Sequence, residues 1–275
     1  MNTVESFYDS NAQTEWERFD RHKMEFAITK RALAEHLPPP SERILDCGGG
    51  PGRYAIHLAK LGYEVTLLDL SQGNLSLARE KAAEHGAAVA DFIHGNALDL
   101  SRFADASFDA VLLMGPLYHL VEQSDRDRAV REAVRVLKPG GLLFAGFITF
   151  YAPLRDSIAK GYLRDFYEKP DELAGLMDHQ RNAGEGFTEA WFAKPSQVIP
   201  WLESLGLRTR AMLAVEGVAS GHEQHMNALD EDAFEFWADL TYLFSTDPHL
   251  WGAADHLLWV GEDLNAQDAC KNNPP

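Results

Sequence analysis

A short stretch that joins an apolar run to four closely spaced glycines constrains this chain more than any other feature. Residues 44–54 read Ile-Leu-Asp-Cys-Gly-Gly-Gly-Pro-Gly-Arg-Tyr, and apolar residues at helical spacing follow them. The pattern predicts a strand that ends near Asp46, a tight turn and then a helix. Because glycine lets a ligand approach bare main chain, Gly48, Gly50 and Gly52 indicate that a small molecule binds at the N-terminus of this helix.

A glycine loop alone leaves the ligand open, because nicotinamide, flavin and adenosylmethionine proteins all use one, and some such loops only pack a turn. The second predicted strand, residues 64–70, narrows the choice, since it is apolar and closes on Asp69. An acid at the end of this strand faces the hydroxyls of a bound ribose. The structural alternative is that Asp69 caps the next helix.

The composite pattern resembles the class I S-adenosylmethionine-dependent methyltransferases, closely over residues 41–150 and only in outline in the C-terminal third. The resemblance implies an α/β, Rossmann-like fold with a seven-stranded sheet in the order 3-2-1-4-5-7-6, strand seven being antiparallel, and with helical cap insertions. It also implies S-adenosyl-L-methionine as the co-substrate. Four motifs carry it: Asp-x-Gly-x-Gly-x-Gly at 46–52, Asp69 after strand two, Gly-Asn-Ala at 95–97 after strand three, and Leu-Lys-Pro-Gly-Gly at 137–141 before strand five.

The resemblance further implies which residues hold the co-substrate. Asp69 would bind the ribose, Gly48 and Gly50 the methionyl part. Asn96 and Ala97 would meet the adenine edge. Many relatives have Asp where this chain has Asn96, and the amide oxygen of Asn can make the same contact. The cofactor residues implied in this way are Asp46, Gly48, Gly50, Gly52, Asp69, Leu70, Asn96, Ala97, Met114, Arg18 and Tyr8.

A lid and two insertions are predicted around the core. In the lid, Arg18 would meet the methionyl carboxylate and Tyr8 would lie near the cofactor, the alternative being that both are ordinary surface residues of a helix. The cap insertion would cover a substrate pocket or form a peripheral helical decoration. The predicted segments are a helical lid (1–40), the S-adenosylmethionine-binding core (41–149), the cap insertion (150–190), the end of the core sheet with a helical insertion (191–264) and a disordered tail (265–275).

Catalytic residues are harder to predict than cofactor residues, because methyl transfer from a sulfonium is a direct displacement and much of its rate can come from positioning. His119 is the best candidate for a base, since it closely follows strand four and titrates near neutrality, and Tyr118 lies beside it. A purely structural histidine is the alternative. Tyr151, His222 and His225 are candidate substrate contacts. No metal site is predicted at the two latter histidines, because a third ligand is not identifiable.

The acidic charge of the chain narrows the class of substrate. The net charge is −17, and residues 211–270 contain twelve acids and no Lys or Arg. Such a surface repels phosphate backbones, so the charge disfavours a nucleic-acid substrate. An acidic surface that serves only solubility is the structural alternative.

The sequence therefore predicts a methyltransferase that acts on oxygen, nitrogen or carbon of a small, apolar or aromatic metabolite. Two alternatives stay open. One is a tRNA wobble-uridine methyltransferase, since residues 46–50 and Phe-Ile-His at 92–94 faintly resemble the tRNA 5-carboxymethoxyuridine methyltransferase. The other is a protein that binds S-adenosylmethionine without transferring methyl: a cyclase, a lyase or a partner subunit.

Two further features predict where the protein resides. No stretch has the roughly 18 consecutive apolar residues that a membrane span needs, and the first residues lack a basic segment with an apolar signal core. Cys47 and Cys270 are the only cysteines, which fits a reducing compartment. We expect a soluble, cytoplasmic protein without a membrane partner.

Overall fold

The computed structural model describes residues 3–182 and 188–264, and its centre is one seven-stranded sheet. The strands in this part of the chain are β1 (Arg43–Cys47), β2 (Glu64–Asp69), β3 (Asp91–His94), β4 (Phe108–Leu113), β5 (Leu137–Ile148), β6 (Arg181–Asn182), β7 (Ala190–Trp191), β8 (Leu207–Ala214) and β9 (His256–Asp263).

The order of the strands confirms the predicted topology. The sheet runs β3-β2-β1-β4-β5-β9-β8, with the first five strands parallel and β9 antiparallel to both of its neighbours. The predicted strands six and seven are therefore β8 and β9. The short strands β6 and β7 pair only with each other, as an antiparallel hairpin that the sequence analysis did not predict.

Helices cover both faces of the sheet. The helices described are α1 (Thr3–Trp16), α2 (Arg18–Arg21), α3 (Lys23–His36), α4 (Arg53–Lys60), α5 (Gln72–Glu84), α6 (Gln123–Val136), α7 (Ala152–Ala159), α8 (Asp165–Glu168), α9 (Pro170–His179), α10 (Pro195–Ser204), α11 (Glu223–Asn227) and α12 (Glu231–Phe244). Two single 3-10 turns span Pro116–Tyr118 and Gly217–Ala219.

The core has one apolar cluster on each side of the sheet. Side chains of α3, α4, α5 and α12 pack on one face, and side chains of α6 and α10 pack on the other. Both β1 and β2 are buried after their first residue, as expected for parallel strands with two covered faces. This core holds the carboxyl ends of the parallel strands and the start of β9 rigidly along one edge of the sheet, where ligands of such sheets bind.

One local prediction was wrong in detail. The Leu-Lys-Pro-Gly-Gly motif does not precede strand five, as the sequence predicts, but forms the first residues of β5. Phe108 pairs with Leu137 and Ala110 pairs with Leu142, so the motif bulges out of the ladder between these two pairs, with Gly140 at φ +80°. Glycine accommodates this left-handed backbone without strain.

Some predictions fall on other parts of the chain. The predicted tail at 265–275, together with Cys270, lies outside the described residues. Within the described residues, no helix has both the length and the apolar character needed to cross a membrane.

Candidate functional site

The glycine loop lies between the end of β1 and the start of α4 and packs directly on the loop that follows β4. Gly48 has φ +74°, and a Cβ atom there would lie 2.5 Å from Cγ of Pro116. A Cβ atom on Gly115 would lie 2.8 Å from the carbonyl oxygen of Gly48. The two loops therefore meet main chain to main chain, and only glycine fits the contact.

A cavity of about 290 Å³ lies on one side of this loop. Its walls come from α1, the glycine loop, the ends of β2 and β3, and the turn after β4. It brings together seven of the eleven predicted cofactor residues, and Tyr118 and His119 as well. The seven are Tyr8, Gly48, Gly50, Asp69, Leu70, Asn96 and Ala97.

Asp69 lines this cavity and also fastens the glycine loop to the start of α5. Its Oδ2 accepts a hydrogen bond from the Gly50 amide at 2.8 Å. Its Oδ1 accepts from the Ser71 amide at 2.8 Å and from Nδ2 of Asn74 at 3.2 Å. Burial raises the pKa of Asp69, and these donors oppose that rise. The helix cap that was the alternative for Asp69 is made by Ser71, whose hydroxyl accepts a hydrogen bond from the Asn74 amide at the start of α5. Asp69 instead ties the glycine loop to this cap, and its place in the cavity keeps the predicted ribose contact available.

Asn96 turns its amide oxygen back onto its own loop. Oδ1 accepts a hydrogen bond from the Leu98 amide at 2.9 Å, which closes a small turn after β3. A carbonyl oxygen has two lone pairs, so one remains for a ligand in the cavity that Asn96 lines.

A smaller cavity of about 90 Å³ lies on the other side of the glycine loop. Arg18, Asp46 and Met114, three more of the predicted cofactor residues, line it. Glu15, Gly48, Gly50, Gly115 and Tyr118 line both cavities, so the glycine loop and the Tyr118 ring separate them.

Asp46 is the buried carboxylate of the smaller cavity. It is 2% exposed, and its Oδ2 has no hydrogen-bond partner in the described part of the chain. Burial and the neighbouring carboxylate of Asp69 raise the pKa of Asp46 to about 7. An unpartnered buried acceptor of this kind is suited to a cationic or hydrogen-bond-donating group of a ligand.

Arg18 is held by two carboxylates. Nη1 and Nη2 donate to Glu25 at 2.5 and 2.8 Å, and Nε donates to Glu15 at 3.0 Å. Burial opposes ionisation of Glu25, but Arg18 outweighs it and the pKa of Glu25 falls to about 2. A guanidinium has five N–H donors, so two remain for the predicted contact with a ligand carboxylate.

His256, the first residue of β9, extends this ionic network. Its Nδ1 lies 2.5 Å from Oε1 of Glu216 and 3.8 Å from Oε2 of Glu25. Burial disfavours a charged ring, but the two carboxylates raise the pKa of His256 to about 9. Within the described residues, one group of three could meet a single metal ion, namely Glu25, Glu216 and His256.

The His119 ring lies beside the Tyr118 ring, with 4.6 Å between their centroids, and both of its nitrogens are engaged. Nε2 shares a hydrogen bond with the Tyr8 hydroxyl at 2.8 Å, and Nδ1 shares one with the Thr188 hydroxyl at 2.8 Å. Burial lowers the pKa of His119 to about 4, so the ring is neutral at pH 7. Tyr118 makes no hydroxyl hydrogen bond within the described residues, and burial raises its pKa. The predicted role of His119 as a base stays a prediction.

Four predicted residues line neither cavity. Gly52 caps α4 with φ +86°, and a Cβ there would press on Leu67 and Ala78 from below the loop. Tyr151 packs edge-on against Phe150, while His222 and His225 are exposed at α11.

Sequence reasoning missed Glu25, Glu216 and His256. A usable signal existed for His256, because the start of an antiparallel strand lies at the same edge as the ends of its parallel neighbours.

Comparison with known proteins identifies the relatives of this chain. Residues 45–145 match a family model described as a methyltransferase domain. The chain is 36% identical over 183 residues to demethylmenaquinone methyltransferase of Clavibacter sepedonicus, covering 65% of this chain and 69% of the relative. It is 32% identical over 184 residues to tRNA 5-carboxymethoxyuridine methyltransferase of Escherichia coli, covering 64% of this chain and 63% of that protein, which is less than two thirds of its length.

A solved structure supports the same fold. The 1,6-didemethyltoxoflavin-N1-methyltransferase of Burkholderia thailandensis, with bound 1,6-didemethyltoxoflavin and S-adenosylhomocysteine, superposes with a TM-score of 0.57 at 15% identity. The match covers 94% of this chain and 87% of that one.

Proposed function

Because the chain belongs to the class I S-adenosylmethionine-dependent methyltransferases, with S-adenosyl-L-methionine as co-substrate, we propose that it methylates a small, aromatic or otherwise apolar acceptor that binds at the smaller cavity. The observation that carries the proposal is the pair of cavities that meet at Gly48, Gly50 and Tyr118. A ligand that passes over the glycine loop would reach both of them.

The side chains of the two cavities fit the co-substrate. Asp69, Asn96 and Ala97 would hold its adenosyl part in the larger cavity, and Asp46 and Arg18 its methionyl part. When bound, S-adenosylmethionine supplies a methyl group that is already activated on a positively charged sulfur. The remaining task of the chain is to hold the acceptor in line and to exclude water.

The ionic network places charges of both signs beside the smaller cavity. Arg18 and His256 are its cations, and Glu15, Glu25 and Glu216 are its carboxylates. The carboxylates would attract the sulfonium of the co-substrate, and the cations would attract anionic groups of a ligand.

The apolar floor of the smaller cavity supports an aromatic acceptor. Phe19, Tyr54, Phe147, Val215 and Leu258 line it. Its volume of about 90 Å³ is below the roughly 300–1,000 Å³ of most ligand pockets, so acceptor entry would require the segment that carries Arg18 to move. A quinone-type acceptor, as the name of the Clavibacter relative indicates for that protein, agrees with such a lining.

A tRNA acceptor is the second candidate, because the Escherichia coli relative is named for one. The net charge of −17 argues against it, since a polynucleotide needs a basic landing surface. Retention on immobilised tRNA at low salt would support the tRNA acceptor, and absence of retention would support the small molecule. We also propose a cytoplasmic location, which the presence of only two cysteines supports.

Binding of the demethylated product tests the site directly. S-adenosylhomocysteine at 100 times its Kd should stabilise the wild-type protein by about 2.7 kcal/mol in thermal unfolding. Asp69→Ala should lose most of this shift, whereas Asp232→Ala, an exposed acid of α12, should keep it. An unchanged shift in Asp69→Ala would remove the ribose assignment. Binding of a nicotinamide dinucleotide without binding of S-adenosylhomocysteine would contradict the whole proposal.

A further inference from the structure

Four charged side chains from four separate elements converge at the edge of the smaller cavity. Arg18 comes from α2 and Glu25 from α3. Glu216 precedes the 3-10 turn after β8, and His256 begins β9. Arg18, Glu25 and His256 line the cavity itself.

Stability alone does not explain why this cluster is ionic. Each buried ion costs several kcal/mol of desolvation, which its pairing offsets, and well-packed apolar residues would stabilise the same position as well or better. Glu25 and Glu216 are 6% and 3% exposed, so they carry most of this penalty. A cluster of this cost beside a ligand cavity points to a use in binding.

Glu216 fixes the orientation of the His256 ring. Its Oε1 accepts from Nδ1 of His256, and its Oε2 accepts from the main-chain amides of Asp255 at 3.1 Å and His256 at 2.8 Å. Both oxygens are thus anchored to the start of β9. Nε2 of His256 makes no hydrogen bond within the described part of the chain, so it is the ring nitrogen left for a ligand.

We propose that His256 binds the methyl acceptor through Nε2–H, and that this acceptor is a phenol or enol that reacts as its anion. The inference rests on the proposed function, which it deepens by naming the chemical class of the acceptor. A charged N–H donor beside an oxyanion makes a shorter and stronger hydrogen bond than a neutral donor does.

The surroundings of His256 favour an anion-binding role over that of a base. The charged and titratable groups that face the ring are Glu25, Glu216, Arg18 and His22. The two carboxylates keep the ring protonated near neutrality, so it cannot accept a further proton. It can donate one hydrogen bond to Glu216 and another to the acceptor.

The transfer step balances without a protein base. The acceptor hydroxyl releases its proton to solvent when the acceptor binds, and His256 keeps its own proton. The acceptor anion then forms a bond to the methyl carbon through its oxygen or a conjugated carbon. The bond between that carbon and the sulfur breaks, and its electron pair stays on the sulfur.

A matched pair of acceptors tests the chemical class. We expect formation of S-adenosylhomocysteine with 2-naphthol and at least tenfold less with 2-naphthylamine. His256→Gln should lower kcat/KM for 2-naphthol at least tenfold and remove the decline in activity that we expect for the wild type above about pH 9. His249→Gln, on an exposed histidine away from the cavity, should behave like the wild type. Equal use of the amine, or no turnover of either compound by protein that binds S-adenosylhomocysteine, would overturn the inference.

A binding measurement gives a readout that does not depend on turnover. With S-adenosylhomocysteine present, 4-nitrophenol should bind as its yellow anion, with its apparent pKa lowered by about one unit relative to free solution. His256→Gln should abolish this shift, and Glu216→Gln should reduce it. An unshifted pKa in the wild type, an equal shift in His256→Gln, or failure of 4-nitrophenol to bind would overturn the inference.

Two controls separate the other outcomes. If the wild type fails to bind S-adenosylhomocysteine, the proposed function fails before this inference is reached. A metal ion held by Glu25, Glu216 and His256 would have to displace the ring proton and compete with Arg18. Turnover should therefore survive a chelator, and loss of turnover that Mg²⁺ or Mn²⁺ restores would replace the oxyanion subsite with a metal site.

Discussion

Asp46 is a buried carboxylate that lines the smaller cavity and lowers the stability of the fold. Its carboxylate is buried, one of its oxygens has no hydrogen-bond partner among the residues that the structure describes, and its pKa is raised to about 7. A carboxyl group whose pKa is higher in the folded state than in the unfolded state lowers stability as the pH rises between the two values. The folded chain therefore becomes less stable between about pH 4 and pH 7, and this cost persists above pH 7.

We expect Asp46→Asn to be more stable than the wild type and to bind S-adenosylmethionine less tightly. Removing the buried charge should raise the free energy of unfolding by about 1–3 kcal/mol at pH 8 and by little at pH 4. Affinity for S-adenosylmethionine should fall about tenfold, because the amide is a weaker acceptor for a cationic group. Denaturant unfolding across this pH range and calorimetry would measure the two effects. A variant that keeps full affinity would show that Asp46 does not touch the cofactor.

His119 can be tested as a positioning residue or as a base. Its two ring nitrogens join Tyr8 of α1 to Thr188, and its pKa of about 4 makes it a weak base at neutral pH. His119→Ala should raise KM for the cofactor several-fold and leave kcat within about tenfold of the wild type. A loss in kcat of about 10²–10⁴, with an altered pH profile, would instead support the catalytic role that the sequence predicts.

The sequence predicted which residues line the larger cavity better than it predicted the ionic network, for a physical reason. Gly48, Asp69 and Asn96 each lie at the end of a strand or within two residues of it, and the ends of parallel strands share one edge of the sheet. Glu25 and His256 pair through space across 231 positions of sequence, and nothing in the local pattern of either residue reveals a partner. Only the antiparallel order of β9 brings His256 to the site.

At the scale of elements, α1 closes the larger cavity by packing against the start of α5. The side chain of Asp9 accepts hydrogen bonds from the Ser71 hydroxyl at 2.7 Å and the Gly73 amide at 2.9 Å. Tyr8, the preceding residue, lines the cavity. This helix-to-helix contact supports the predicted lid, which stays a prediction together with the division of the chain into five segments.

Gly73→Ala should loosen this contact. A Cβ atom there would lie 2.8 Å from the carbonyl oxygen of Asp9 and 3.0 Å from its Cα, so α1 has to shift. We expect the Kd for S-adenosylhomocysteine to rise about tenfold. The melting temperature without ligand should change little. Alanine has a higher helix propensity than glycine, so it stabilises α5 and offsets the weaker packing of α1. Ser76→Ala, at an exposed position of α5, serves as the control. Equal Kd values for S-adenosylhomocysteine in the two variants would show that α1 does not act as a lid over the cofactor.

At the scale of the whole molecule, two opposite pKa shifts in one ionic network make stability depend on pH at both ends of the range. The pKa of Glu25 is lowered to about 2, so its contribution is present above about pH 4.5 and is lost as the pH falls through 2. The pKa of His256 is raised to about 9, so its contribution is complete below about pH 6.5 and is lost as the pH rises through 9. The pairing of Glu25 with His256 therefore stabilises the fold most between about pH 4.5 and pH 6.5.

The difference in the free energy of unfolding between the wild type and His256→Gln isolates the contribution that His256 loses as the pH rises. The penalty from Asp46 is common to both proteins and cancels in this difference. We expect the wild type to be more stable than the variant by about 1–2 kcal/mol at pH 6, a value reduced from the full shift because a quarter of the side chain is exposed. The difference should shrink steadily between pH 6.5 and 9 and reach a constant small value above that. Urea unfolding at half-unit pH intervals would measure it, with His249→Gln as the exposed control. A stability difference that stays constant from pH 6 to pH 10 would mean that His256 is neutral in the folded protein. The assignment of a positive charge to His256 beside the smaller cavity would then be wrong.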